Sequence, residues 1–508
     1  MGNNKRVIIN MVANGTAFLV QFAINFFLTP YLTESVGASA YGFVTIANNF
    51  VGYINIFTIA LNSMASRFIT IEYNRKNLKL TNTYFNSVLY ANTALALVVL
   101  VVGVPLSLNI NHVLRVPEDI VSDVRFTFIF VFFNIAISLL FSVYGVVFYV
   151  KNRLDISARR NIEGNILRAI CIVGLFAIFQ PKIYFITLTA LLMAIYIGIT
   201  NLYHTHQLLP DIKIGFANFS WGAIKTLLAS GIWNSINQLS TVLLTSLDIL
   251  LANLFVGATA SGQYAIAKIV PNFIQSLVAV LTSAFIPDIT ILYAEGKREE
   301  LLNKVNYSIK MMGWLITLPI AFLIIFGQDF FELWVPSEDA VQLHILSLWT
   351  LIPMIVTGSI NTIFNVYTVT NKLKLPSLVL LITGIINTVL VVFLLKFTSL
   401  GIIVIPLVAC VIGVIRNLVF TPIYAAKCLD VKWSTFYFAI IRGVFCTLVM
   451  MACCVVFKHF FTIDSWGIFL CAAVVCAALT LSINFWIVFN KRERQEFLSF
   501  LTNKRGEK

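Results

Sequence analysis

Charged side chains stand in this sequence where apolar neighbours should exclude them. Asp248 and Lys268 lie in successive apolar runs on either side of a glycine turn at Gly257; Arg168 and Arg416 interrupt two others, and Arg67 closes another. A charge in the hydrocarbon layer costs about 2.5–3.5 kcal/mol on insertion scales, so such groups face a partner, a ligand or water. Arg67, Arg168, Lys268 and Arg416 against Asp248 make a net-positive set, which suits an anion such as a phosphate or pyrophosphate group. Asp248 and Lys268 fall at similar depth on consecutive runs, as a static salt bridge or as a pair that senses ions, protons or an anionic substrate. Asp248 is the candidate coupling residue. Arg168 and Arg416 fall one to two turns from the inner face, within snorkelling reach of water.

Uncharged polar residues share faces with these charges. Val36-Gly37-Ala38-Ser39-Ala40-Tyr41-Gly42 is echoed 220 residues later by Val256-Gly257-Ala258-Thr259-Ala260-Ser261-Gly262. Asn48, Gly52, Asn55, Asn62 and Ser63 follow the first copy; Lys268, Asn272, Gln275, Thr282 and Ser283 follow the second at the same offset. On a helix each set falls within about 100° of arc. Asn10, Asn14, Gln21 and Asn25 fall within about 60° of arc, as do Asn234, Asn237, Thr241, Thr245 and Asp248. Asn, Gln and Thr also join helices through hydrogen bonds. Matching stripes in both halves nevertheless favour a hydrated cavity. Its candidate substrate-binding residues are Arg67, Arg168, Lys268, Arg416, Asn48, Asn55, Asn234, Asn237, Asn272 and Gln275.

The elements that carry these faces follow from composition. The 508 residues are 59% hydrophobic and 11% charged, with a mean hydropathy of +0.90. No soluble fold of this length hides so much apolar surface. Repeated apolar runs of spanning length imply helices, because a backbone in hydrocarbon must satisfy itself within each segment; a β-barrel would alternate in short segments instead. The runs predict about fourteen spans, at 7–32, 43–64, 84–108, 126–150, 162–179, 183–203, 229–255, 263–287, 311–327, 343–369, 377–395, 402–424, 444–463 and 466–489. The N-terminal run is read as a retained first helix, since Asn10, Asn14, Gln21 and Asn25 interrupt it and no small-residue cleavage site stands out.

Charge orients the bundle. Most Lys and Arg fall on the side of the N-terminus, from Lys5 and Arg6 through Lys297, Arg298, Lys304 and Lys310 to the basic tail. The opposite side holds only Arg115, Arg125, Lys182, Lys396 and Lys458. By the positive-inside rule both termini are cytoplasmic, and the net charge of +13 reflects those loops rather than a nucleic-acid patch. The predicted organisation is an N-lobe of six helices (1–205), a cytoplasmic linker (206–228), a C-lobe of helices 7–12 (229–425), and helices 13–14 with a basic tail (426–508). The even offset of six helices makes the lobes a parallel repeat. The linker stretch from Phe216 to Leu228 reads as an amphipathic surface helix. Pro271 and Pro353 are interior enough to kink their helices. His204 and His206 form a loop pair with no Cys or carboxylate cluster beside it, so no metal site is expected. The eight cysteines are small membrane-helix residues.

The stretch Ser246-Leu247-Asp248-Ile249-Leu250-Leu251-Ala252-Asn253-Leu254-Phe255-Val256-Gly257, followed by Gly262-Gln263-Tyr264-Ala265-Ile266-Ala267, resembles the polysaccharide flippases of the multidrug/oligosaccharidyl-lipid/polysaccharide exporter superfamily. Its N-terminal counterpart, Gly37 to Ala47, follows the same scheme. The resemblance implies two six-helix lobes in a V, with helices 13 and 14 appended. It also implies transfer of an isoprenoid-linked sugar to the outer face, with charged cavity residues on the anionic head group. The expectation is an alternating-access flippase of the bacterial inner membrane. Its substrate is an undecaprenyl-diphosphate-linked oligosaccharide for capsule, O-antigen or a related polysaccharide. It is expected to need no cofactor beyond a coupling cation, Na⁺ or H⁺. Its partners are the bilayer, the lipid-linked substrate and polysaccharide-assembly membrane proteins, with no nucleic acid. A cation-coupled multidrug antiporter of the same superfamily is the alternative, favoured by an acidic excess this sequence lacks. A membrane glycan polymerase or transferase is a remote one, because the outer acidic residues Asp329, Glu332, Glu338 and Asp339 sit on a short loop without a partner His.

Overall fold

The computed structural model describes residues 3–491 and 493–495. The tail beyond residue 495, which carries much of the expected C-terminal basic charge, lies outside them. The described residues hold helices and turns and no strand, and fourteen helices among them are long and apolar enough to span a membrane. They are α1 (Asn3–Val36), α2 (Ala38–Asn74), α3 (Leu78–Leu108), α4 (Glu118–Val150), α5 (Leu154–Ile178), α6 (Tyr184–Leu208), α7 (Trp221–Val256), α8 (Ala258–Ala294), α9 (Arg298–Trp334), α10 (Ala340–Val369), α11 (Lys374–Phe397), α12 (Gly401–Cys428), α13 (Tyr437–Phe460) and α14 (Trp466–Val488). The hydropathy reading found every span but shortened many. At about 1.5 Å per residue, the 37 residues of α2 outrun a hydrocarbon core of about 30 Å. Their polar ends continue the helix into the interface, where hydropathy no longer marks it.

Helix boundaries repeat along with the polar faces. Gly37 (φ 80°, ψ 156°) and Gly257 (φ 144°, ψ 177°) precede α2 and α8, in a region of backbone space that is essentially glycine-only. Each carbonyl then accepts the amide four residues on, Tyr41 N and Ser261 N, at 3.1 Å. Left-handed residues end α2 and α8 at Lys76 and Gly296, and α4 and α10 at Asn152 and Asn371. In each, the next amide bonds back to the carbonyl five residues earlier, the Schellman closure of a helix end.

Prolines explain two of the breaks. Regular helix stops within α8 at Ala267 and again at Ser283. Each is four residues before a proline, Pro271 and Pro287, whose missing N–H leaves that carbonyl without its intrahelical donor. A break in the helix thus accompanies Pro271, whereas the helix around Pro353 continues from Ala340 to Ile360 and tightens to 3₁₀ at Asn361–Ile363. The amphipathic helix expected over Phe216 to Leu228 forms only from Trp221, with Ala223, Ile224 and Leu227 buried and Lys225 and Thr226 exposed. Phe216–Asn218 is a single 3₁₀ turn, and Ser220 caps a helix that starts at Trp221 and runs on as α7.

Packing divides the chain into two units. Unit 1 is Met1–Ala265 with Leu380–Thr388, and unit 2 is Ile266–Val379 with Val389–Lys508. In unit 1 a core at one end joins Leu61, Ala65 and Ile69 of α2, Phe85 and Val88 of α3, Val143–Val150 positions of α4, and Ile224 and Leu227 of α7. Unit 1 also holds the closest approach of the repeated turns. A Cβ on Gly42 would lie 2.8 Å from Gly262 Cα, and one on Gly262 would collide with the Ala38 carbonyl. Within unit 2 the matching core joins Leu301, Val305 and Ile309 of α9, Ile360 and Val366 of α10, and Ala425 and Ala426 of α12. Helices α13 and α14 dock on α9. Gly313 meets Gly443, the Trp314 indole donates to the Leu481 carbonyl at 3.1 Å, and buried Lys310 pairs with Glu493 at 2.7 Å. Lys310 is thus a helix residue in an ion pair, not the loop charge expected from hydropathy.

Candidate functional site

In unit 1 the site is built on α7, whose hydrogen-bond ladder is widened twice. π-turns occupy Val242–Ser246 and Ala252–Val256, leaving Leu247–Leu251 as a single α turn between them. Such widenings release carbonyls and recur at functional positions. The Ser246 carbonyl accepts from Asn49 Nδ2 at 3.0 Å and from Tyr53 Oη at 3.1 Å on α2. The Leu243 carbonyl accepts from Asn387 Nδ2 at 3.4 Å and Thr388 Oγ1 at 3.1 Å on the stretch of α11 that belongs to this unit. Asp248 occupies the turn between the two widenings, 3% exposed, and accepts a hydrogen bond from Tyr264 Oη at 3.2 Å. The sequence-predicted acid is therefore held on a segment fixed by side chains from neighbouring helices. None of Asn49, Tyr53, Asn387 and Thr388 stood out in the sequence, because no residue pattern announces a π-turn.

The polar stripe of α2 divides into two uses. Towards α7 it is a seam: Asn234 Nδ2 donates to Ser63 Oγ at 3.0 Å, Ser235 Oγ to the Ile56 carbonyl at 2.6 Å, and Gln238 Nε2 to the Gly52 carbonyl at 3.2 Å. Gly231 allows the approach, because a Cβ there would collide with Ala60 backbone. With the two bonds to Ser246, and about 0.6 kcal/mol per interhelical bond in a bilayer, the seam contributes roughly 3 kcal/mol. Asn234 is accordingly a joining residue. Asn48 and Asn55, by contrast, are exposed in the middle of α2. Asn237 is half-buried and followed along α7 by exposed Thr241 and Thr245, whose hydroxyls bond back to the carbonyls four residues earlier. On α1, Asn10 is buried and clamps the α4–α5 turn, donating to Asn152 Oδ1 at 2.8 Å and accepting from Asp155 N at 3.0 Å. In that turn the Asp155 carboxylate, hydrogen-bonded to Arg153, pushes the guanidinium above its ordinary value. Asn14 and Gln21 are exposed.

Arg168 of unit 1 sits deeper than hydropathy placed it. Because α5 begins at Leu154, the residue lies about 21 Å along the helix, not one to two turns in. Its Nε is shielded from solvent and has no hydrogen-bond partner. Arg67 is exposed and two turns inside α2 rather than at its end, because that helix runs on to Asn74.

In unit 2, Lys268 occupies the first break of α8 and is 6% exposed. Asn272 and Gln275 are exposed on the next turns. Thr282 turns inward and accepts from Asn361 Nδ2 of α10 at 3.3 Å. Its counterpart Asn62 in unit 1 accepts from Asn92 Nδ2 at 2.8 Å and from Ser142 Oγ of α4 at 3.4 Å. Arg416 opens a π-turn in α12 (Arg416–Phe420), about 18 Å from the Cys428 end and again deeper than expected. Its Nε donates to Asn417 Oδ1 at 3.3 Å, Asn417 Nδ2 reaches Thr357 Oγ1 at 2.7 Å, and Arg416 Nη1 is shielded without a partner. No group of three or more His, Cys, Asp or Glu among the described residues could hold a metal ion. His204 is buried and His206 exposed in the last turn of α6, so the pair lies on a helix and diverges. Asp329 lies on α9 and is paired with Lys458 at 2.5 Å, not free on a loop.

Comparison with known proteins agrees with this architecture. The family described as polysaccharide biosynthesis protein matches residues 5–293. EpsK, an uncharacterized membrane protein of Bacillus subtilis (strain 168), is 29% identical over 498 residues, covering 98% of this chain and 98% of its own. A putative O-antigen transporter of Shigella flexneri is 24% identical over 322 residues, covering 62% of this chain and 73% of its own. Among solved structures, the lipid II flippase MurJ in an inward closed conformation superposes with a TM-score of 0.69 at 14% identity, covering 94% of this chain and 98% of MurJ. At that identity the likeness is one of fold.

Proposed function

This chain belongs to the polysaccharide biosynthesis protein family, and from that premise we propose that it flips an undecaprenyl-diphosphate-linked oligosaccharide across the bacterial inner membrane by alternating access. It is a multi-pass membrane protein of a polysaccharide-transporter family with a MurJ-like fold. One observation supports the substrate class above the others. Arg168 and Arg416 are mid-span guanidiniums with shielded nitrogens that lack hydrogen-bond partners, and neither has an ion-pair partner among the described residues. Leaving a cation so placed costs several kcal/mol unless water or an anion reaches it. A diphosphate carries acidic oxygens that match guanidinium geometry. The exposed amides of Asn48, Asn55, Asn272 and Gln275 suit sugar hydroxyls, while the isoprenoid stays in the bilayer.

Asp248 is the proposed coupling residue for a cation or proton. It is the buried acid of α7, and the π-turns on both sides of it are of the kind that recur at functional sites. Depletion of the protein should accumulate lipid-linked oligosaccharide that remains on the cytoplasmic face, measured by accessibility to an impermeant sugar-modifying reagent. Unchanged sidedness after depletion would refute the flippase assignment.

A further inference from the structure

The connection between α6 and α7 presents apolar side chains that the fold does not cover. Ile214, Phe216 and Trp221 are 49%, 69% and 60% exposed; the first two lie between two spans and Trp221 is the first residue of α7. Loops free to move bury such groups by collapse; this one is held open. Asn82 of α3 accepts from Lys213 N at 2.7 Å and donates to the Asp211 carbonyl at 3.2 Å. One turn on, Asn86 donates to the Lys213 carbonyl and accepts from Gly215 N, both at 2.9 Å, and Ser87 Oγ accepts from Ser220 N at 2.9 Å. Both amide side chains thus read the backbone of the connection as a neighbouring strand would. Phe216 stacks on Phe219 at 5.3 Å with rings 4° apart, and Tyr90 of α3 meets Phe216 edge-on. Exposed lysines lie close by in the chain: Lys213 before Phe216, Lys225 one turn after Trp221, and Lys79 one turn before Asn82 at the start of α3.

Exposed apolar and aromatic side chains that include an indole, flanked by lysines on long stems, are the composition that settles at a membrane–water interface, with the rings among head groups and the ammonium groups on lipid phosphates. We propose that this braced connection is an anchor for anionic phospholipid, with Phe216 and Trp221 in the head-group layer and Lys79, Lys213 and Lys225 on lipid phosphate. The lysine array supplies the charge complementarity, and the Asn82–Asn86–Ser87 clamp keeps the apolar groups presented instead of folded back. The site is separate from the mid-span residues assigned to the glycan.

The full-length protein is reconstituted in phosphatidylcholine vesicles containing a lipid with a nitroxide on its head group, with and without phosphatidylglycerol. The Trp221 signal is the difference in fluorescence between wild type and Trp221→Phe. That component should be quenched by the nitroxide, shielded from aqueous iodide, and quenched more strongly when phosphatidylglycerol is present. Lys79→Gln/Lys213→Gln/Lys225→Gln should remove the dependence on phosphatidylglycerol without changing the thermal midpoint in detergent. A Trp221 component open to iodide and indifferent to the nitroxide would assign the patch to a protein partner and overturn the proposal. Equal quenching with and without phosphatidylglycerol would overturn the anionic-lipid assignment. No glycan or flux enters the measurement, so it stands or fails apart from the flippase reading.

Discussion

Replacing Gly262 with alanine tests whether the repeated motif exists to bring two helix starts together. The added methyl would collide with the Ala38 carbonyl at the start of α2, and a methyl on Gly42 would lie 2.8 Å from both Gly262 Cα and Gly262 N. Carbon contacts are favourable only at about 3.5–4.0 Å, so the two helix starts must part by roughly 1 Å. Opposing backbone cannot swing aside as a side chain would. The expected cost is therefore in the upper part of the range for overpacking, about 2–3 kcal/mol. At about 2–4 °C of Tm per kcal/mol for a domain of a few hundred residues, each single substitution should lower the thermal midpoint by roughly 4–12 °C. The assay is tryptophan fluorescence of purified protein heated in detergent. Gly174→Ala is the control, since an added Cβ there meets nothing within 4 Å and alanine favours helix by about 1 kcal/mol. The double substitution Gly42→Ala/Gly262→Ala should be clearly less than additive, because the first methyl already separates the backbones that the second would strike. Midpoints within a degree of wild type for both single variants, or strict additivity in the double, would refute the reasoning.

Further outcomes follow from the sites themselves. Asp248→Asn keeps an acceptor for Tyr264 and should retain the wild-type midpoint while lowering flux about tenfold or more, a barrier change of at least ~1.4 kcal/mol; full flux at normal expression would remove Asp248 from coupling. Arg416→Gln should lower flux without lowering stability, because it relieves a buried charge, and Arg416→Lys should restore flux only in part since the fork geometry is lost; reconstituted flipping measures both. Lys310→Met should destabilise unit 2 by up to about 3 kcal/mol by stranding Glu493, and Lys310→Met/Glu493→Met should recover most of it, read by the same melting assay. Asn86→Leu deletes two hydrogen bonds to the connection, about 1–3 kcal/mol in all, and should open residues 211–220 to limited proteolysis; an unchanged digestion pattern would place the bracing elsewhere.

What the sequence made legible was periodic or compositional. Spans follow from apolar runs, and the repeat follows from Gly37 and Gly257, whose backbone angles only glycine adopts readily. The repeat runs further than the glycine motif suggested. Lys151-Asn152-Arg153-Leu154 and Thr370-Asn371-Lys372-Leu373 close α4 and α10 in the same left-handed turn, but an Asn followed by a base is too common a pair to announce itself. Distance from the helix end was underestimated where helices continue past their hydropathy, which is why Arg168 and Arg416 lie about two turns further in than expected. The ladder of α7 was illegible for a different reason. A π-turn depends on which carbonyls find donors elsewhere, and Asn49, Tyr53, Asn387 and Thr388 become donors only once α2 and α11 are packed against α7.

The two copies of the polar stripe show how one pattern came to carry two tasks. At the position of Asn62 and Thr282 the copies agree: both side chains accept a hydrogen bond from the helix four or ten in chain order, so that position holds the fold. At Asn55 and Gln275 they agree again, and both are exposed mid-helix. At Asn48 and Lys268 they part. Asn48 is exposed, while Lys268 is buried at the one break in α8 that Pro271 enforces. The copies thus differ in charge and in backbone: the C-terminal one carries a cation at a helix break, the N-terminal one an amide on an unbroken helix. The test is to exchange the pair. Asn48→Lys with Lys268→Asn preserves composition, and if the break matters to the charge it should abolish flux while leaving the protein folded, because the cation would then sit on the unbroken helix. Flux retained by the exchanged protein would show that charge alone, and not the break beneath it, is what the repeat diversified.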